Sequence, residues 1–108
     1  MAQRSLLHGT LDLLVLRTLL LGPLHGHGIS RHIQQTTEEV LKVDHGSLYP
    51  ALNRLEKSGY IASAWENSPR GREMRFYRLT AKGRKYLDAE ESKWQVLVRA
   101  MAKMLKPA

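Results

Sequence analysis

The chain has 108 residues, and its 17 lysines and arginines against 10 aspartates and glutamates give it a net charge of +7. This length predicts a single domain, and the sequence pI of about 10.1 is typical of proteins that bind nucleic acids. Because the chain contains no cysteine, disulfides and thiol chemistry are excluded.

The first predicted helix has Thr10 as its N-cap and ends near residue 21, after a loose basic arm over residues 1–9. Leucine or valine occupies positions nearly all round its axis, so we expect this helix to be buried on several sides at the centre of the core. Asp12 and Arg17 interrupt the apolar run, which is shorter than the roughly 20 residues of a membrane span. Since no export signal follows it, the sequence predicts a cytoplasmic protein with no membrane partner.

A second helix is predicted over about residues 29–37, after a flexible glycine-rich segment at residues 24–28. Arg31 lies off the apolar face of this helix and is a candidate contact to a phosphate. The connection that follows carries three apolar residues that we expect to pack against the core, Val40, Leu41 and Val43.

A third helix is predicted over residues 46–59, with Ser47 as its N-cap, Pro50 in its first turn and Gly59 at its end. Its apolar residues recur at i, i+3, i+4 and i+7 and form one stripe that must be buried, Leu48, Ala51, Leu52 and Leu55. Its other long side chains are polar or cationic and face outward, namely Tyr49, Asn53, Arg54 and Lys57. Such a face suits a DNA groove, although an ordinary amphipathic surface helix carries the same pattern.

Two strands are predicted over residues 60–66 and 74–79, where the period of the apolar residues changes to two. The loop between them carries turn residues and two arginines, Arg70 and Arg72. For the strand side chains we expect a cross-strand pair of Trp65 with Phe76, and burial of Tyr77 and Leu79 in the core.

A last helix is predicted over residues 81–105, with Thr80 as its N-cap. Apolar residues recur along it as a seam, and the predicted dimerisation residues are Leu87, Trp94, Leu97, Met101 and Leu105. A helix of this length outruns so small a domain, so part of the seam is expected to contact a second chain. The alternative is a helix that folds back wholly on its own domain.

Three helices, then two strands joined by a basic loop, then a long helix, predict a winged helix-turn-helix, mainly α with a small β-hairpin. In this interpretation residues 1–79 form the DNA-binding domain. Residues 80–108 then form a C-terminal dimerisation helix.

Three segments of the chain resemble signatures of the PadR family of bacterial transcriptional regulators. Residues 46–56, Gly-Ser-Leu-Tyr-Pro-Ala-Leu-Asn-Arg-Leu-Glu, resemble one of them. Residues 24–29 resemble the family's first signature, and residues 76–83 its strand-to-helix signature, in the family's order and spacing. His27 departs from the tyrosine that many members carry within the first signature. The single terminal helix is similar to the small subclass of the family.

The resemblance implies a homodimeric winged-helix repressor that binds a palindromic operator in double-stranded DNA and is released by a small molecule or a changed condition. We hypothesise that the third helix enters the major groove, where Asn53 and Arg54 read base edges. Ser47, Tyr49 and Lys57 would contact the backbone. Arg70 and Arg72 in the wing would reach an adjacent minor groove or its phosphates. The predicted DNA-binding residues are Arg31, Ser47, Tyr49, Asn53, Arg54, Lys57, Arg70 and Arg72.

These assignments have structural alternatives. Arg70 and Arg72 would instead lie in a solvated loop. Tyr49 would instead pack under Pro50 as part of the domain. Arg54 would instead form a solvated ion pair with Glu56 or Glu38, which contributes little to stability.

Trp94 and Val98 on the terminal seam are candidate residues for a flat aromatic effector, although Trp94 would serve equally as a dimer anchor. His25 and His27 lack the spacing of metal ligands, so no metal and no other cofactor is predicted. An enzyme is not predicted, because no nucleophile elbow, phosphate loop or paired-carboxylate cluster occurs. The remaining alternative is a protein-interaction module that dimerises through its last helix without binding specific DNA.

Overall fold

The computed structural model describes residues 2–107, with side chains from Gly9 onward. This part of the chain contains α1 (Ala2–Leu19), β1 (Leu24–His25), α2 (Gly26–Thr36), α3 (His45–Lys57), β2 (Ile61–Asn67), β3 (Glu73–Leu79) and α4 (Ala81–Leu105). The strands form one antiparallel sheet in the order β1-β3-β2. The arrangement is a winged helix-turn-helix, so the predicted fold class is confirmed.

The core forms around α1, whose Val15, Leu16 and Leu19 are buried. The other elements contribute apolar side chains to the same cluster, namely Ile29, Ile33, Leu48, Leu52, Leu55, Ile61, Tyr77 and Leu87. Each helix turns its apolar stripe inward because burial of apolar surface is the main gain on folding. The central position predicted for the first helix and the burial predicted for Tyr77 are both confirmed.

α1 begins at Ala2, whereas the predicted helix began at residue 10 after a loose arm. The assignment of Thr10 as N-cap is therefore wrong, because Thr10 lies inside the helix. No proline occurs in residues 2–9, so no residue there forces the backbone out of helical geometry. The side chains predicted to make this arm basic lie outside the described residues.

The glycine-rich segment before α2 is shorter and more ordered than predicted. Leu24 and His25 pair with Tyr77 and Phe76 of β3 as a third, edge strand. α2 then begins at Gly26, three residues before the predicted start. A two-residue strand carries no alternation of apolar residues, so the sequence pattern does not reveal it.

α3 has the predicted apolar stripe, and all four of its residues are buried. Its N-cap is Asp44, not Ser47, because the Asp44 carboxylate accepts the Ser47 N–H at 2.8 Å. Pro50 consequently lies beyond the first turn, inside the helix. The C-terminus follows the prediction: Gly59 has φ of +81°, and its N–H donates to the Glu56 carbonyl at 3.0 Å.

Two of the three apolar residues between α2 and α3 do not pack on the core. Val40 is 79% exposed and Leu41 is 38% exposed, so their predicted burial is wrong, whereas Val43 does pack against the core. The Thr37 hydroxyl oxygen accepts the Leu41 N–H at 3.1 Å and closes a turn that holds this segment at the surface.

The register of the hairpin separates the two aromatic residues that were predicted to pair. Phe76 lies opposite Ala64, and Trp65 lies opposite Arg75. Adjacent strand positions point to opposite faces of the sheet, so Trp65 and Phe76 do not meet. Trp65 is instead 63% exposed.

α4 starts as predicted, since the Thr80 hydroxyl oxygen accepts the Gly83 N–H at 3.0 Å. The rings of Tyr60 and Tyr86 stack with centroids 4.1 Å apart and join the start of β2 to α4. Leu87 is 1% exposed within the core of its own protomer. The structure therefore removes Leu87 from the predicted dimer seam, because the first turns of α4 close the domain.

The rest of α4 extends away from the core. The radius of gyration is 15.2 Å, against about 13 Å for a compact chain of this length. The exposed fractions rise along the helix, from 37% at Leu97 to 50% at Met101 and 74% at Leu105. Within the described residues, no helix combines the length and apolar character needed to cross a bilayer.

Candidate nucleic-acid interface

A groove runs between the start of α2, the exposed face of α3 and the β2–β3 hairpin, with a cavity of about 500 Å³. Its lining combines cations, hydrogen-bonding tips and aromatic rings, including His27, Tyr49, Asn53, Trp65, Arg72 and Arg75. These side-chain types are those that contact phosphates, sugars and base edges in nucleic acids.

The polar surface of α3 has two sides, which the sequence interpretation treated as one. Tyr49, Asn53 and Lys57 stand at i, i+4 and i+8, and the first two line the groove. Ser47 and Arg54 lie on the other flank of the helix, where they line a second cavity of about 630 Å³ against α1. At about 100° per residue, Arg54 stands roughly 140° from Tyr49, so both cannot face one groove.

Arg54 pairs with Asp12 of α1, with 2.9 Å between the Arg54 Nη2 and Asp12 Oδ1 atoms. Neither Glu56 nor Glu38 is its partner, so both predicted pairings are wrong. The side chains of Arg54 and Asp12 are 40% and 20% exposed, so solvent partly screens the ion pair. The pair ties the outer flank of α3 to α1 and places the guanidinium away from the groove where it was predicted to read bases.

Tyr49 lies over the start of α2, not under Pro50. A Cβ atom at Gly26 would come within 2.8 Å of the Tyr49 Oη atom, so a side chain there would displace the end of this ring. The ring of His45 meets that of Tyr49 edge-on, with centroids 5.5 Å apart. The phenol is thereby held at the groove while its residue stays 42% exposed.

A hydrogen-bonded network joins the wing to α3. Arg75 Nε donates to the Ser63 hydroxyl at 2.9 Å, and the Ser63 hydroxyl donates to Glu56 Oε2 at 2.6 Å. The Arg75 guanidinium also pairs with the Glu56 carboxylate at 3.3 Å. Arg75 therefore offsets the one carboxylate that α3 carries near the groove, and it fixes the hairpin relative to α3.

Burial raises the pKa of Tyr77, which lies against this network, and its phenol is already protonated at neutral pH at its ordinary pKa. The Arg75 guanidinium carbon lies 5.9 Å from the centroid of the Tyr77 ring. The neutral Tyr77 ring thus lies beneath the Arg75 guanidinium without adding a negative charge to the groove.

The predicted cationic contacts are placed unequally. Arg72 lines the groove, whereas Arg70 lies exposed in the loop of the hairpin and Arg31 lies exposed on α2. Lys57 is exposed near the end of α3. The structure therefore brings Tyr49, Asn53 and Arg72 together in the groove and leaves the other predicted DNA contacts outside its lining.

The sequence did not predict several residues that line the groove, among them His25, Trp65 and Arg75. His27, which also lines it, was noted only as a departure from the tyrosine of the family's first signature. Within the described chain, no three histidines or carboxylates are grouped closely enough to hold a metal ion.

Solved structures of transcriptional regulators are similar to this chain over nearly its whole length. A regulator from Clostridium thermocellum is 30% identical, with a TM-score of 0.84 over 94% of this chain and 99% of that chain. A PadR family regulator from Eggerthella lenta is 30% identical, with a TM-score of 0.78 over 99% of this chain and 92% of that chain. One from Clostridium difficile is 27% identical, with a TM-score of 0.74 over 88% and 97% of the two chains.

These similar proteins are regulators of transcription. The sequence model of the transcriptional regulator PadR-like family matches residues 15–89, which include the groove and the first turns of α4. The chain therefore belongs to the PadR-like family of transcriptional regulators.

Proposed function

We propose that this protein is a homodimeric repressor that binds a palindromic operator through the groove formed by α2, α3 and the wing. The observation that carries the proposal is the convergence of Tyr49, Asn53 and Arg72 in one groove of a chain with a net charge of +7. Its partner is double-stranded DNA, which places the protein in the cytoplasm.

In this proposal α3 lies in a major groove and the hairpin reaches the neighbouring backbone. Asn53 reads a base edge, because its amide matches the donor and acceptor of adenine. Tyr49 and Lys57 bind phosphates on one side, and Arg72 binds them on the other. Arg70, at the exposed loop of the hairpin, is a further backbone contact, and so is Arg31 on α2.

Replacement of Asn53 by alanine is expected to weaken binding to the preferred operator by about 1–3 kcal/mol and to relax the preference at one base position. Arg54→Ala is the matched control on the same helix, since its side chain turns toward α1. Competition binding with operators varied one base pair at a time measures both. Loss of base preference in Arg54→Ala, with Asn53→Ala unchanged, would contradict the assignment.

The proposed dimer forms through the part of α4 that leaves the domain. Its seam consists of Trp94, Leu97, Met101 and Leu105, with Val98 beside it. These residues are half-buried or exposed in one protomer, although their side chains are apolar. Residues 1–79 then act as the DNA-binding unit and residues 80–108 as the dimerisation helix, whose first turns also complete the core.

Release of the DNA by a small molecule is proposed at Trp94. A groove of about 230 Å³ runs between α1 and α4 and is lined by Trp94, Leu13 and Leu97. A second protomer on the seam would deepen this groove, and a flat aromatic compound would stack on the indole. Val98 lies one turn after Trp94 on the same helix.

A planar aromatic effector is expected to quench tryptophan fluorescence through Trp94. The chain has two tryptophans, so Trp65→Phe leaves Trp94 as the only emitter and Trp94→Phe leaves Trp65. Saturable quenching in Trp65→Phe and its loss in Trp94→Phe is the expected pair of results. Equal quenching in both variants would instead make Trp94 a dimer anchor alone.

The function itself is tested by selecting bound duplexes from a random DNA pool. The expected product is a symmetric sequence, because a two-fold dimer binds two half-sites about one helical turn apart. Affinity for it should fall steeply with salt as phosphate counterions are released. Recovery of no common sequence, together with dimerisation in solution, would favour the protein-interaction module.

A further inference from the structure

Two histidines, His25 and His27, line the groove at the start of α2, and His45 at the start of α3 lies beside His27. The ring centroids of His25 and His27 are 6.4 Å apart, and those of His27 and His45 are 6.3 Å apart. The ring of Tyr49 follows, with its centroid 5.5 Å from that of His45. We call the two imidazoles of His27 and His45, together with the adjacent phenol of Tyr49, the imidazole cluster.

The imidazole cluster lies where an anion is favoured. His25 is the N-cap residue of α2, and its side chain makes no capping hydrogen bond. The first N–H groups of α2 consequently lack a side-chain acceptor, and such groups bind phosphate oxygens. Within the described residues, neither His27 nor His45 has an ion pair or a hydrogen-bonded side chain, so both rings are available to an acceptor.

His25 differs from the other two rings. Its Nδ1 atom is buried without a hydrogen-bond partner, and its ring lies 5.6 Å from that of Phe76. The half-buried His25 side chain shapes the site, whereas the exposed His27 and His45 can reach a ligand.

The charged groups around the cluster set its response to a phosphate. Arg72, Glu73 and Arg75 face the same cavity from the hairpin, and Arg75 is paired with Glu56. Arg31 stands one turn after His27 on α2, and Asp44 precedes His45 but is engaged as the N-cap of α3. These three cations and three carboxylates balance, so an arriving phosphate adds the negative charge that favours the charged form of an imidazole.

We propose that His27 and His45 form a phosphate-binding site for the DNA backbone, and that protons are taken up at these imidazoles when DNA binds. This inference rests on the proposed DNA-binding function and adds its regulation by pH. Imidazole changes its charge between about pH 5 and 8, so the site responds within the physiological range. Operator affinity rises as the pH falls through this range.

The test measures binding of the selected operator duplex at constant ionic strength between about pH 6 and 8. We expect the wild-type protein to bind at least about tenfold more tightly at the lower pH. When binding takes up one proton, the affinity changes about tenfold for each pH unit. The double variant His27→Gln/His45→Gln should lose most of this dependence. His32→Gln is the matched control, because His32 lies on α2 and contacts Thr36 instead of the groove.

A second measurement needs no substitution. The histidine C2 protons are followed by NMR in the free protein and in the complex, and the titrations of His27 and His45 should move to higher pH on binding while that of His32 stays in place. Tight operator binding with no pH dependence and unmoved titrations overturns the phosphate site and leaves the proposed function intact. Absence of specific binding at every pH overturns both.

Discussion

Gly83→Ala is expected to destabilise the folded protein by about 2–3 kcal/mol, although alanine favours a helix more than glycine does. Gly83 is buried in the first turn of α4, and a Cβ atom there would overlap the carbonyl oxygen of Tyr60. That oxygen also accepts the Thr80 N–H at 3.1 Å, so the strand cannot retreat without loss of the bond. The position of the Cβ atom and that of the carbonyl oxygen are both fixed by the backbone, so no rotamer change relieves the overlap.

Thermal unfolding measures this effect, and a loss of this size lowers the Tm of a domain near this length by about 10 °C or more. Gly9→Ala is the matched control, because no heavy atom lies within 4 Å of the Cβ position at Gly9, which also lies inside a helix. The control should keep or slightly raise the Tm, since only helix propensity changes. Equal Tm values for the two variants would mean that α4 is not held against β2 as described.

Gly83 also bears on the proposed function, because it lies where α4 packs against the end of α3. The Lys82 ammonium donates to the Ser58 carbonyl at 2.8 Å, and the Thr80 hydroxyl donates to the Gly59 carbonyl at 2.7 Å. Both bonds connect α4 to the end of α3. The direction in which α4 leaves the domain is thus coupled to the helix that we propose enters DNA. In the proposed dimer, the geometry of this contact would set the distance between the two DNA half-sites.

The sequence predicted those parts of the fold that depend on local patterns. The apolar stripe of α3 and the cap of α4 by Thr80 each involve residues within a few positions of one another. Gly59 at the end of α3 is a similar case, because a positive φ favours glycine wherever the rest of the chain lies. Such features survive in any tertiary context that buries the stripe.

The features that the sequence did not predict depend on long-range pairing. Arg54 and Asp12 are 42 residues apart, so the sequence near Arg54 does not indicate which carboxylate it pairs with. The side of α3 that faces the wing depends on how α1 and the hairpin pack. The sequence therefore predicted a polar outer face of α3, but not its division into a side that faces the groove and a side that faces α1. Within the candidate site, Tyr49, Asn53 and Arg72 followed from their residue types, whereas Arg75 required the strand register.

Met101→Glu is expected to convert the proposed dimer into a monomer of 12.3 kDa. Met101 lies at i+4 from Leu97 and is 50% exposed in the protomer, near the middle of the exposed part of the seam. A carboxylate buried there against its own symmetry copy would bring two like charges together without a partner. Sedimentation equilibrium measures the mass, and wild type should give twice the monomer value.

Operator binding should weaken in the same variant by a factor of roughly 1000, because a monomer engages one half-site and loses the effective concentration of the second. Val96→Glu is the matched control: Val96 is 61% exposed on the same helix, but stands about 140° round the axis from Met101. It introduces the same charge off the seam, so its mass and affinity should remain those of wild type. A Met101→Glu protein that stays dimeric would place the contact on another surface, whereas a monomer with full operator affinity would show that pairing is not required for recognition.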